Sequence, residues 1–222
     1  MAHPPVALTK SAYAYEELRR RILTGEIGHG SVLSQAQLAH EIGVSTTPLR
    51  EALRRLAAEG LVQLESHRDA RVASLTADEA RDLYVLRENL DPLAAGLAAE
   101  SRTPADIEGI QAALKQLTPL HDAADLDAMT AHREFHRAVY KASHNPLLIG
   151  ILEGLWDKAD RYRQIGLQNQ KDSEKDRKRV REEHIEIADA VVSGDAIRAR
   201  QIMQRHVAGS LGRRAIAVLA ES

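Results

Sequence analysis

The chain has 222 residues, a formal net charge of −2, 3% aromatic residues, ten histidines and no cysteine. The lack of cysteine excludes a disulfide framework and any thiolate metal site, and so few aromatics disfavour a stacking platform for single-stranded nucleic acid. The opening MAHPPVALTK has no apolar core of the kind a signal peptide needs, and no apolar run approaches the roughly 18 residues of a membrane span, so a cytoplasmic protein of two small domains or one medium domain is expected.

In chain order, the first informative stretch is Leu33 to Val62, LSQAQLAHEIGVSTTPLREALRRLAAEGLV. It reads as two short helices joined at a tight turn. Ser34 with Gln37 three residues on forms a capping-box signal. Leu38, Ala39 and Ile42 supply an apolar face, and Gly43 permits the left-handed residue that ends the helix. Thr47 followed by Pro48 is a start signal for the second helix. Leu49, Ala52, Leu53, Leu56 and Ala57 fall at helical spacing, while Ser45, Thr46, Arg50 and Arg54 point elsewhere. Hydroxyls at a helix start and arginines one turn apart suit insertion into a DNA major groove. The alternative for this stretch is an ordinary helical hairpin with a solvated basic face. Leu61–Glu65 alternates like a half-buried strand, Arg71–Ala73 is its expected partner, and Ser66–Ala70 is the hairpin tip with Arg68 exposed. Lys and Arg only slightly outnumber Asp and Glu over residues 8–72, so charge permits a DNA-binding domain without identifying one.

A helix-turn-helix followed by a basic hairpin is a winged helix, and residues of about 8 to 75 resemble the GntR superfamily of bacterial transcription regulators. The stretch Tyr15–Gly25, the string LAHEIGVSTTPLREALRRLAAEGLV and the wing carry the resemblance. It implies that Ser45, Thr46, Thr47, Arg50, Arg54 and Arg68 face DNA. Two positions depart from the family pattern: Asp69 stands where the wing usually has glycine, and Thr46 where arginine is frequent.

After the wing the signals are helical. Thr76 with Glu79 opens a helix to about Glu100, and further helices are expected near 104–118, 124–143, 146–168, 173–193 and 195–219, which makes an all-helical bundle of about six helices. The mixed charge run Lys171–Glu183 reads as a solvated helix start with i,i+4 pairs such as Glu174–Lys178. The fold class is therefore mainly α, with a winged helix-turn-helix over 8–75 and an all-α domain over 76–220.

The chemistry of the bundle lies in its histidines. His132 and His136 are one turn apart on a face shared with Met129, Val139 and Tyr140, while His184 and His206 share faces with Ile187 and Val191 and with Ile202 and Met203. Burying four imidazoles without partners is costly, and a divalent transition metal, zinc first and nickel second, accounts for all four together. Each histidine taken alone reads as an ordinary core or surface residue. HREFH superficially suggests a metallohydrolase, but Glu134 lies about 200° round the helix from either histidine and there is no HExxH or HxxEH. A purely structural metal-binding bundle would leave the winged helix unexplained.

This half resembles the FCD ligand-binding domain of the FadR subgroup, over about residues 78 to 217. DLYVLRENLDPLAAGLAAE, FHRAVYKASHNPLL and EEHIEIADAVVSGDAIRARQIMQRHV carry the match. The resemblance implies a metal site at His132, His136, His184 and His206, with His132 standing where the family commonly has aspartate. It also implies that Arg87 lies near a ligand carboxylate; a salt bridge with Glu88 or Asp91 is the competing reading. Arg161 and Arg163, flanking Tyr162 near Trp156, are weaker pocket candidates. The whole then reads as a homodimeric regulator, more a repressor than an activator, that binds a pseudo-palindromic double-stranded DNA operator and answers a small carboxylate effector.

Overall fold

Thr9 caps the first helix, α1 (Lys10–Leu23), its hydroxyl accepting from the Ala12 N–H at 3.2 Å. The protein is seen here as a computed structural model that describes residues 9–65, 69–118, 120, 125–169 and 173–221. Two compact units meet between Leu75 and Thr76.

In the first unit, β1 (Val32–Ser34) leads directly into α2 (Gln35–Ile42), and α3 (Thr46–Ala58) follows after Gly43, whose φ of 75° closes α2 in the left-handed region. β2 (Val62–Leu64) and β3 (Asp69–Val72) form the wing. The antiparallel sheet has the order β1-β3-β2, with Leu33 and Leu64 both opposite Ala70. Leu18, Leu49, Leu53, Leu56, Leu61 and Ala70 are buried at its centre.

Three local expectations change. Ser34 occupies the N-cap position but its side chain makes no capping bond, and the Gln37 amide bonds Glu41 instead, so the capping box does not form. Helix α3 starts one residue early, with Ser45 at the N-cap and Pro48 at the third helical position, where a missing N–H is still harmless. The third strand, β1, had no counterpart among the expected elements.

The second unit is helical: α4 (Ala77–Ser101), α5 (Pro104–Gln116), α6 (Leu126–Lys141), α7 (Pro146–Asn169), α8 (Glu174–Ser193), α9 (Ala196–Ala208) and α10 (Leu211–Ala220). Thr76, Thr103, Asp125, Ser173 and Asp195 all cap with their side chains. Glu79 does not close a box on Thr76. It turns to Lys158 at 2.6 Å and to the Tyr162 hydroxyl at 2.7 Å, and that hydroxyl also accepts from the Thr76 N–H at 3.4 Å. The helix expected over 195–219 is two helices. Gly209 ends α9, and Ser210, in extended conformation, starts α10. Tyr84, Phe135, Trp156, Ile187 and Met203 belong to the buried core.

Candidate metal centre and its cavity

Helix α6 presents His132 and His136 from adjacent turns, α8 presents His184 and α9 His206. One ligand nitrogen from each lies within 4.8 Å of the others, and all four residues are buried. The ring centroids of His184 and His206 are 4.5 Å apart, those of His132 and His136 4.8 Å. Trp156 stands 4.9 Å from His136, and Phe135 5.1 Å from His184, so the cluster has aromatic walls.

The protonation pattern follows from these surroundings. Burial pushes His132, His136 and His184 well below the usual imidazole range, and neighbouring imidazoles and Arg163 push in the same direction. These rings are therefore neutral at pH 7 and carry lone pairs. His184 and His136 approach through Nε2 at 3.3 Å. That separation suits two nitrogens of one ion at metal–nitrogen bonds of about 2.0–2.1 Å. His206 turns Nδ1 to Glu183 Oε2 at 2.9 Å, which leaves its Nε2 for the cluster. Burial opposes the charge on Glu183, but hydrogen bonds from His206 and Arg179 prevail and hold its carboxyl below its ordinary range. A carboxylate behind a ligand imidazole fixes tautomer and orientation. The Nδ1 atoms of His132 and His136 are buried without hydrogen-bond partners among the described residues. Neutral, converging and partly unsatisfied imidazoles fit a borderline divalent ion, which all four histidines would hold.

A cavity of about 420 Å³ opens onto the cluster. His132, His184 and His206 are on its wall, with Leu114, Leu117 and Ile185 as apolar lining. Arg163 reaches the wall. Its guanidinium lies 4.7 Å from the Trp156 ring centroid and pairs with Asp160 at 2.6 Å. Arg87 is not among the wall residues. It is 1% exposed, pairs with Asp91 at 2.6 Å one turn along α4, and lies over Trp156 at 4.6 Å. Asp91 also accepts from Tyr140, whose oxygen accepts from Trp156 Nε1 at 3.0 Å. The structure thus shows the competing reading for Arg87, the ion pair with Asp91, while its Nε and Nη1 are buried without hydrogen-bond partners among the described residues. Two further contributors escape the sequence reading. Glu183 and the α8 arginines fall in the run taken as solvated, although Glu183 adjoins His184 directly. The expected pair Glu174–Lys178 is replaced by Lys178–Glu182 at 3.9 Å and Arg179–Glu183 at 2.6 Å. Glu134 is exposed and pairs with Arg137, away from the histidines.

In the first unit, α3 buries Leu49, Ala52, Leu53 and Leu56 and leaves Ser45, Thr46, Thr47, Arg50 and Arg54 exposed. Among the described residues neither Arg50 nor Arg54 has an ion-pair partner. Arg55 differs, lying 3.6 Å from the Tyr15 ring centroid and 3.4 Å from Glu59. Arg68 lies outside the described residues. No helix among the described residues is long and apolar enough to cross a membrane.

Residues 10–72 match the family described as bacterial regulatory proteins, gntR family, and residues 82–209 match the FCD domain. The chain is 31% identical over 206 residues to the HTH-type transcriptional regulator LutR of Bacillus subtilis, covering 84% of this chain and 92% of LutR. To the HTH-type transcriptional repressor GlaR of Escherichia coli it is 28% identical over 206 residues, covering 87% and 90%. Two further matches are shorter: the chain spans under two thirds, 65% and 64%, of B. subtilis YdhC and E. coli McbR. The solved structure of E. coli McbR/YncC superposes with a TM-score of 0.73 at 22% identity over 97% of this chain and 99% of that one, a likeness of fold. With both family matches in chain order, the protein belongs to the GntR family of bacterial transcription regulators, a family of regulators and not of enzymes, and carries an FCD domain after its winged helix.

Proposed function

We propose that this protein is a cytoplasmic, homodimeric repressor that holds a pseudo-palindromic operator through α3 and lets go when a small organic acid binds its metal-loaded helical unit. The observation that carries the effector half is the convergence of four buried imidazoles, three of them on the wall of one cavity. His132, His136, His184 and His206 would hold the ion, with zinc preferred and nickel second. The bound ion supplies a Lewis-acid seat for an anionic oxygen of the effector. The chain's own residues do the rest: Glu183 orients His206, Trp156 and Phe135 pack against the rings, and Arg163 offers a guanidinium to the acid. The DNA half rests on the exposed hydroxyls and arginines at the start of α3, and repression is the role that GlaR carries in its name. One half-site per winged helix makes a dimer the natural reader of a pseudo-palindrome. Regulation then requires the acid to prefer the conformation with lower operator affinity.

The test has two arms. Untagged protein analysed for metal should contain about one zinc or nickel per chain, or take it up on titration. A gel shift with promoter fragments flanking its own gene should show binding that carboxylates weaken in the metal-loaded form. A chain that binds no ion loses the metal site, and one that retards none of these fragments loses the operator reading.

A further inference from the structure

Among the described residues the cavity is charged in one sense only: Lys115, Arg163, Arg177, Arg179, Arg181 and Arg214 line it, and no carboxylate does. Some of these cations have acids close by: Arg163 pairs with Asp160, Arg179 with Glu183, and Arg214 lies 3.9 Å from Asp176. Lys115 and Arg181 are exposed and have no ion-pair partner among the described residues. One carboxylate seated at the histidines would leave this outer positive charge unanswered.

The geometry also has a length. On α8, Arg177, Val180, Arg181, His184 and Ile185 fall at i, i+3, i+4, i+7 and i+8, so one face of that helix runs along the wall. At 1.5 Å per residue, Arg177 to His184 covers about 10 Å. Histidine is buried at one end and the arginine side chains reach solvent at the other. A second feature points to an anion. Gly209 and Ser210, where α10 begins, are wall residues. The Ser210 side chain makes no capping bond, and its Oγ is buried without a hydrogen-bond partner among the described residues. The first N–H groups of α10 therefore lack a side-chain cap beside a cation-lined cavity, at the positive end of the helix dipole.

We propose that the effector is an elongated dianion. One carboxylate meets the histidine end, and a second anionic group, carboxylate or phosphate, is held toward the mouth by Lys115 and Arg181 with the start of α10 as a further donor. This rests on the metal-and-acid reading given above and narrows its ligand class. It assigns to Lys115 and Arg181 the selection of dianions over monoanions.

The experiment titrates zinc-loaded full-length protein with three matched probes, hexanoate, adipate and 6-phosphonohexanoate, by calorimetry. At least one dianion should bind about tenfold or more tightly than hexanoate, the size of one good charge-assisted contact. Adipate ahead indicates a dicarboxylate, and the phosphonate ahead indicates a phosphorylated acid. K115Q/R181Q should erase most of that preference while leaving zinc content and hexanoate affinity unchanged. The proposal is overturned if hexanoate binds as tightly as both dianions, if none of the three binds, or if the double variant keeps the full preference. Failure to take up zinc, measured separately, would remove the metal reading instead.

Discussion

Glu183→Gln separates the tuning of the proposed metal site from the holding of a fold. The glutamate accepts from His206 Nδ1 at 2.9 Å and from Arg179 at 2.6 Å, bonds that favour its ionised form against half-burial. Glutamine retains one oxygen acceptor but loses the charge that raises the basicity of the far ring nitrogen. Removing such a partner typically weakens metal binding about 10- to 100-fold, or about 1.4–2.7 kcal/mol. At saturating zinc that loss passes directly into stability by mass action. For a chain of this length, at about 2–4 °C per kcal/mol, the zinc-bound melting temperature should fall by about 3–11 °C. Competition with a chromogenic chelator gives the zinc affinity, and thermal melts with and without zinc give the stability. The metal-free variant should melt close to the metal-free parent. Unchanged zinc affinity, or a metal-free melting point that drops as far as the zinc-bound one, would refute the assignment and make Glu183 a simple ion-pair residue of α8.

Arg50→Ala should cost about 1–3 kcal/mol in operator affinity and relax one position of each half-site if Arg50 reads a guanine; a uniform loss across sequences with a flatter salt slope would mark a phosphate contact instead, and unchanged affinity would remove α3 from the groove. Arg87→Ala leaves the Asp91 carboxylate buried and unpaired, so denaturant melts should show a loss of about 3–5 kcal/mol, while Arg87→Met with Asp91→Leu should recover much of it; a single variant as stable as the parent would mean that the pair contributes nothing. Hydrogen bonds from Arg20 and Arg21 hold the Glu17 carboxyl at about 2, below its ordinary 4.5, so its stabilising contribution is present above pH 4.5 and is lost as pH falls toward 2. Glu17→Gln should therefore lower stability at pH 7, and the difference from the parent should shrink in urea melts between pH 4.5 and 3; a difference independent of pH would contradict this.

Helix starts and the histidine faces were legible because each rests on local chemistry. Thr103 before Pro104 forms a full capping box with Asp106, and the four-residue spacing of His132 and His136 follows from helix geometry alone. What escaped was set by tertiary surroundings. Strand β1 has three residues, too few for an alternation to register, and it exists because β3 offers it a free edge. The α9–α10 break carries no left-handed residue, since Gly209 has φ −90°, and apolar spacing continues across it. Arg163 was underrated because residues 159–167 of α7 are buried on every side, which erases the amphipathic pattern that tells an inward arginine from a solvated one. The basic stretch of α8 misled in the opposite way: a water-accessible cavity accepts arginines as readily as bulk solvent does.

Helix α7 sets two unlike neighbours side by side. Arg163 is on the cavity wall, and Tyr162, one residue earlier, holds both the Thr76 N–H and the Glu79 carboxylate with its hydroxyl. Thr76 is the first residue after the boundary between the two units. One peptide bond and one phenol ring therefore tether the cavity wall to the point where the second unit begins. Any turn of α7 that draws Arg163 inward pulls on that leash, and the first turn of α4 must follow or give up its anchor.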